Sequence, residues 1–301
     1  MSPKARPAAP RRSSLRVTHP DKVFWPDEGY TKLDLANFYD AVLPHLAPFV
    51  TDRLLTLERC PDGMRGECFY QREAPKELPP GTRTKRVRDE KGFTNYVVGG
   101  SRATQRALVN LGCIAVHVWS SRAQNPRRPD WVCFDLDPPS EAFADAARAG
   151  LLVKQGLDAL GVTSYPKTSG SRGLHNFVPI RVGPDVGAVL GFAEEFVRRL
   201  AAAHPAEVTA EPRLAARRGR VYLDPFRNGM AQTVVAPFSV RRRPRAPVST
   251  PLEWAEVSPT LVPSDFNLGN FAHRLTTHHP WKDFFERRQS LQAMVRAVRR
   301  M

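Results

Sequence analysis

The segment Trp131-Val132-Cys133-Phe134-Asp135-Leu136-Asp137-Pro138-Pro139 is where residue type and spacing in this chain point most directly to chemistry. In an extended strand successive side chains alternate between faces. Val132, Phe134 and Leu136 then share one face, and Cys133, Asp135 and Asp137 share the other. Pro138 ends the strand, so the two carboxylates stand at its mouth. Like charges so placed repel unless a cation lies between them, and Mg²⁺ and Mn²⁺ prefer oxygen ligands of this kind. An Asp-x-Asp pair also arises as an ordinary polar strand end near arginines. A second segment, Val221-Tyr222-Leu223-Asp224-Pro225, repeats the pattern, with Asp224 at a strand end before a proline. Three such carboxylates suit two divalent ions roughly 3.5–4 Å apart, the arrangement for phosphoryl transfer. Asp135, Asp137 and Asp224 are therefore the candidate catalytic and metal-binding residues.

Between them lies Lys167-Thr168-Ser169-Gly170-Ser171-Arg172-Gly173-Leu174-His175. Backbone amides beside glycines, serine hydroxyls, a guanidinium and an imidazole offer many donors and no charged acceptor, which suits a phosphate chain. The spacing is not that of a Walker loop. An ordinary Ser/Gly turn is the alternative. Basic clusters flank these segments: Arg83, Lys85, Arg86, Arg88 and Lys91; Arg213, Arg217, Arg218 and Arg220; and Arg241, Arg242, Arg243 and Arg245. They suit phosphate tracking along a nucleic acid, or form solvated faces. Phe69 and Tyr70 sit in a polar stretch, where they either stack on an unpaired base or anchor a core.

Periodicity supplies the elements that must position these groups. Thr31 caps a helix carrying Leu35, Phe38, Tyr39, Val42, Leu43 and Leu46 at helical spacing. Ser101 caps a second helix that Gly112 ends, Ser140 a third reaching about Leu160, and Asp185 a fourth through about Ala203. Strands are expected at 54–57, 96–98, 114–118, 131–137, 162–166, 174–181, 221–223 and 233–240, with an exposed loop or hairpin at 72–92. The tail from Trp281 to Arg300 is expected to be helical. Strands and helices mix without a regular βαβ period, so the fold class is α+β.

With 301 residues the chain has room for one large domain or two joined lobes. Its formal charge of +15 favours a polyanionic partner, above all nucleic acid. No apolar run is long enough for a membrane span, and residues 1–14 read as a flexible basic arm without a signal-peptide core. Cys60, Cys68, Cys113 and Cys133 contain no Cys-x-x-Cys pair and read as reduced thiols.

Taken together and in order, Asp135-Leu136-Asp137, Ser169 to His175 and Asp224 resemble the three motifs of archaeo-eukaryotic primase-type polymerases. The nearer resemblance is to the polymerase domain of bacterial DNA ligase D, supported by Thr18 to Pro26, His117 to Arg122 and Arg128-Pro129-Asp130. It covers roughly residues 15–290 and leaves 291–301 as a basic tail. The resemblance implies a primase-polymerase fold with two facing mixed or antiparallel sheet modules flanked by helices. It implies an end-joining polymerase adding NTPs or dNTPs to a primer 3′ end, activated by Mn²⁺ or Mg²⁺. By position, Asp135, Asp137 and Asp224 would hold metal, and His117, Ser169, Arg172, His175 and Arg241 would bind the nucleotide. Lys22, Lys32 and Arg59 would meet the 5′-phosphate of a gapped duplex or DNA end, Phe69 and Tyr70 the template, and Arg217 the DNA. The implied partners are Ku and an ATP-dependent DNA ligase, and the implied location is the bacterial cytoplasm at the nucleoid. Two positions depart from the pattern: many relatives carry Lys where Arg172 stands, and some carry Gln where Arg227 stands. No Lys-x-Asp-Gly ligase nucleophile is present, since Cys60 precedes Pro61-Asp62-Gly63, so a stand-alone polymerase or an excised domain is expected. A metal-dependent nuclease and a non-catalytic end-binding module are the alternatives.

Overall fold

The computed structural model describes residues 15–89 and 92–301; the basic arm and Lys91 lie outside them. A short ribbon opens the fold, β1 (Val23–Trp25) with β2 (Tyr30–Thr31). Helix α1 (Lys32–Val50) follows, and Thr31 caps it reciprocally with Asp34. Strands β3 (Arg53–Arg59), β4 (Phe69–Gln71), β5 (Thr84–Asp89) and β6 (Gly92–Val98) come next. Then come α2 (Arg102–Asn110), capped by Ser101, and the long β7 (Cys113–Arg122). The second half runs β8 (Trp131–Asp137), α3 (Phe143–Ala159), β9 (Tyr165–Thr168), β10 (Leu174–Pro179) and α4 (Val186–Ala203), capped by Asp185. It ends with β11 (Val208–Thr209), β12 (Val221–Asp224), β13 (Val234–Val235), α5 (Phe271–Arg274) and α6 (Leu291–Val298).

Two sheets result. The antiparallel one runs β13-β7-β3-β6-β5, with β4 added to β3, and the mixed one runs β11-β12-β8-β10-β9. Alternation sorts their faces. Leu55, Leu57, Val116 and Val118 of the first sheet join α1 and α2 in one core. Val132, Phe134 and Leu136 of the second pack on α3, α4 and α6 in another. The other faces carry Thr56 and His117 of the first sheet and Asp135, Asp137 and His175 of the second, and these line one cleft, while Trp131, Cys133 and Phe177 beside them extend the first core. A buried ion pair ties the sheets together: Arg53 at the start of β3 grips both oxygens of Asp130, just before β8, at 2.6 and 2.8 Å. The guanidinium also lies 3.5 Å from the Trp131 ring centre. The α+β expectation with two facing sheets holds.

Several boundaries differ from the sequence reading. Helix α3 starts after Ala142 without a side-chain cap, because the Ser140 hydroxyl instead accepts from the Ala142 amide in a local turn. Of 233–240 only Val234–Val235 pairs as strand; Pro237 has no donor, and Phe238 turns the chain at φ +66°. Of the tail from Trp281 to Arg300 only Leu291–Val298 is α-helical. Trp281 and Phe284 instead stack at 5.0 Å within an aromatic cluster. Leu291, Met294 and Val298 bury α6 in the second core, so the stretch read as a basic tail packs there. Cys60 and Cys68, read as thiols, are joined as a disulfide: the Pro61-Asp62-Gly63 turn folds β4 back on β3 and leaves their Cα atoms 4.4 Å apart. Cys113 and Cys133 are free and buried.

Candidate active site

Register builds the site. Asp135 on β8 lies directly opposite Asp224 on β12 and opposite His175 on β10, and His175 lies opposite Lys167 on β9. Directly opposed residues in antiparallel strands point to the same face. Asp224, Asp135, His175 and Lys167 therefore form one row across four strands. Asp137 sits two residues nearer the strand mouth, opposite Tyr222.

The row is closely bonded. His175 Nε2 lies 3.1 Å from Asp135 Oδ1. Arg227 Nε lies 3.1 Å from Asp135 Oδ2 and 3.2 Å from Asp224 Oδ2, so one guanidinium bridges two carboxylates. Asn228 fixes the turn that carries Arg227: its side chain accepts from the Cys133 amide at 2.8 Å and donates to the Cys133 carbonyl at 2.7 Å, mimicking another residue of β12. Burial alone would raise the Asp135 carboxyl, but His175 and Arg227 outweigh it and hold it well below the usual range. Asp137 is pushed up to about 6 by burial and by the charge of Asp135. Asp224 is raised by burial, against the pull of Arg227. Burial also lowers His175 to about 4 and Lys167 to about 7. The Lys167 ammonium donates to Ser249 Oγ at 2.5 Å.

Ser169 shapes the turn after β9. Its hydroxyl oxygen accepts from the amides of Ser171 and Gly173 at 3.2 and 3.1 Å. Gly170 has φ +69°, and a Cβ there would come within 2.6 Å of Arg241 Cγ and 3.0 Å of the Ser249 amide. Only glycine lets these segments approach so closely. Arg241 Nη1 donates to the Ser169 carbonyl at 2.9 Å, and Arg172 pairs with Glu141 at 3.1 Å.

The opposite wall comes from the other sheet. His117 on β7 faces Thr56 on β3, and the Tyr70 ring meets the imidazole edge-on at 5.3 Å. Between the walls lies a cavity of about 640 Å³. Asp135, Asp137, His117, Ser169, Arg172, His175 and Arg241 all line it, as do Thr56, Tyr70, Arg72, Arg227 and Arg243. Asp224 stands beside Arg227 rather than on the cavity surface. Thr56 Oγ1, His117 Nε2, His175 Nδ1 and Arg241 Nε are buried polar atoms without a hydrogen-bond partner among the described residues, and all four residues line this cavity. Buried polar groups normally find partners, so their concentration here marks a place for a polar ligand.

The residues expected at DNA fall in two places. Lys32 Nζ donates to the Asn110 carbonyl at 2.8 Å and Arg59 Nε to the Leu111 carbonyl at 2.8 Å, so both cations sit at the C-terminus of α2. Helix carbonyls there attract positive charge. The Lys32 amide donates to the Lys22 carbonyl, which brings Lys22 alongside. Lys32 is 4% exposed, and burial followed by the charge of Lys22 lowers its pKa. Phe69 and Tyr70 are 41% and 58% exposed, which rules out the core-anchor alternative. Arg217 lies elsewhere: nearly buried, it covers the Tyr222 ring at 4.4 Å, next to the acidic row. Lys167, Thr56, Glu58 and Asn228 were not singled out from sequence. Lys167 stands in the donor-rich segment two residues before Ser169 and so shares its face, a local signal; the others become visible only through register.

Comparison with known proteins agrees with this geometry. Residues 31–281 match the family model described as LigD, primase-polymerase domain. The chain is 30% identical over 302 residues to the multifunctional non-homologous end joining protein LigD of Pseudomonas aeruginosa, covering 97% of this chain and 36% of that protein. It is 29% identical over 289 residues to the bifunctional LigD of Bacillus subtilis, covering 94% and 46%. The chain thus spans less than half the length of these relatives. The polymerase domain of Mycobacterium tuberculosis ligase D, solved in complex with DNA, superposes with a TM-score of 0.85 at 26% identity, covering 91% of this chain and 99% of that one. A row of carboxylates facing a cation-lined cleft between two sheets, on a fold shared with that domain, leads to one conclusion: the chain belongs to the LigD primase-polymerase domain family.

Proposed function

We propose that this chain adds NTPs or dNTPs to a primer 3′ end at gaps and double-strand breaks, as the polymerase step of end joining. The observation that carries this is the cavity itself: one wall presents carboxylates, its lining includes Arg72, Arg172, Arg241 and Arg243, and buried polar atoms between them lack hydrogen-bond partners among the described residues. A triphosphate matches these arginines, and a 3′-hydroxyl must approach the carboxylates.

The donor set suits hard divalent cations such as Mn²⁺ or Mg²⁺. Among the described residues no three His, Cys, Asp or Glu side chains converge closely enough to hold an ion as they stand. The Arg227 guanidinium lies between Asp135 and Asp224 instead, which shows that this pair of carboxylates accommodates positive charge. Asp135, Asp137 and Asp224 would be the ligands, with Arg227 turning aside. When bound, the cations would lower the pKa of the attacking hydroxyl and neutralise charge on the triphosphate. His175 holds the Asp135 carboxylate in orientation. Arg172 and Arg241 would grip the phosphates, and the Ser169 turn would bring its amides beside them.

Lys22, Lys32 and Arg59 would meet a downstream 5′-phosphate, and Phe69 and Tyr70 an unpaired template base. Ku, an ATP-dependent ligase and a bacterial cytoplasmic location follow from the same reading. Among the described residues no helix is long and apolar enough to cross a membrane. The test is incubation of a 5′-phosphorylated gapped duplex with labelled NTP or dNTP and Mn²⁺ or Mg²⁺. Primer extension is expected; shortening of the primer identifies a nuclease, and binding without either product removes both enzymatic readings.

A further inference from the structure

The wall facing the acidic row hides an acid for which nucleotide transfer supplies no task. Glu58 on β3 is 4% exposed. Its Oε1 accepts from Arg242 Nε at 3.1 Å, while Oε2 has no hydrogen-bond partner among the described residues. That oxygen faces His117 Nε2, equally buried and unpartnered, across 4.0 Å. The gap exceeds a hydrogen bond, yet leaving either atom unpaired is costly. Strand register enforces the meeting. Thr56 and Glu58 share the face onto which His117 projects from β7, and Tyr70 lies opposite Glu58 on β4.

We propose that Glu58 is a positioning residue for His117: its carboxylate draws the Nε2–H edge of the imidazole toward itself and stabilises the imidazolium when a nucleoside triphosphate enters, so that nucleotide binding takes up a proton. This rests on the nucleotide reading above. The groups facing His117 are Glu58 from β3, Tyr70 from β4, Arg241 from the segment after β13 and Lys167 from β9. Within the protein's own groups burial, with Arg241 and Lys167, keeps the imidazole neutral, its pKa pushed down to about 4 although Glu58 pulls upward. Burial works against ionisation of Glu58 too, but His117, Arg241 and Arg242 hold it at about 2, so it stays charged. Phosphate oxygens at Arg241 offset the opposing cations, and the imidazolium then lies between two anions. Proton uptake follows in the interval between the empty and occupied pKa values. There affinity falls as pH rises, by at most about tenfold per unit for one linked proton.

The experiment is calorimetric titration of the full chain with a non-hydrolysable ribonucleoside triphosphate and Mg²⁺, near pH 7 and in buffers of different ionisation enthalpy. The unaltered chain is compared with His117→Asn and Glu58→Gln, which removes the ligand's own titration from the difference. The unaltered chain is expected to take up more protons per nucleotide than either variant, by up to about one, and to lose affinity more steeply with pH. Equal uptake in all three, with binding retained, overturns the proposal. So does a Glu58→Gln variant that melts earlier but keeps the full uptake, since that is a packing role alone. If Glu58→Gln does not fold, the difference between the unaltered chain and His117→Asn decides, and no excess overturns the proposal. Absence of nucleotide binding by the unaltered chain removes the nucleotide reading itself.

Discussion

The two walls of the cleft satisfy their buried polar groups to different degrees. On the β8–β10–β12 wall two of the three carboxylates are answered inside the protein, Asp135 by His175 and Arg227, and Asp224 by Arg227 and the Phe226 amide at 2.8 Å, and among the described residues only His175 Nδ1 of its cavity-lining buried atoms is left open. On the β3–β7 wall Thr56 Oγ1, Glu58 Oε2 and His117 Nε2 are left without partners. The first wall is preorganised, so its cost is met during folding; the second leaves its polar atoms for what enters. Chemistry is therefore expected to depend on the first, and ligand recognition to draw on the second together with the turn at Ser169.

The largest break in this contrast comes from the acidic row. Asp135→Ala combined with Asp137→Ala should lower primer extension by at least two to three orders of magnitude, roughly the loss seen when preorganised charge stabilisation is removed. DNA affinity by fluorescence anisotropy should hardly change, because phosphate contacts elsewhere dominate it. A parallel collapse of DNA binding would mean that the row binds DNA rather than acting on it. Next comes the joint between the walls. Asp130→Asn leaves Arg53 buried without its counter-charge, at about 3–5 kcal/mol of stability by denaturant titration. Loss below 1 kcal/mol would show that the sheets are held by other contacts.

A smaller effect belongs to the recognition wall. Tyr70→Ala should weaken binding of a substrate with an unpaired template base by about 1–3 kcal/mol, without lowering the melting temperature, because the ring is mostly exposed. Equal weakening with a blunt duplex would argue against stacking. The smallest lies outside the cleft. Asp40 on α1 accepts from Arg102 and Arg106 of α2; burial raises its carboxyl, but these bonds prevail and hold it at about 2. A folded-state pKa below the unfolded value gives stability that is present above about pH 4 and lost as pH falls toward 2. Asp40→Asn should remove that acid-limb dependence at a cost of at most about 1 kcal/mol. An unchanged acid limb would place the sensitivity elsewhere.

Much of this organisation is legible in the sequence. The caps at Thr31, Ser101 and Asp185 are where polar side chains can satisfy helix amides, and all three hold. The acidic strands stand out because alternation and a terminal proline are local signals. What escapes is register. Nothing local says that Asp135 pairs with Asp224 rather than with Tyr222, or that Glu58 lies diagonal to His117. The structural work of Asn228 is equally hidden, since a buried asparagine completing a strand edge looks like any turn asparagine. The stretch from Thr233 to Val240 reads as strand because its apolar residues are buried, yet the burial belongs to a folded loop.

A β-sheet ordinarily has almost no net dipole, because neighbouring strands cancel. The row from Asp224 through Asp135 and His175 to Lys167 gives this one an order at right angles to its strands, acids on β12 and β8 and bases on β10 and β9, over about 14 Å. A ligand laid along that row meets bases toward the turn at Ser169 and acids toward β12. The strand pairing thus sets a compass for whatever lies in the cleft before any single contact is made.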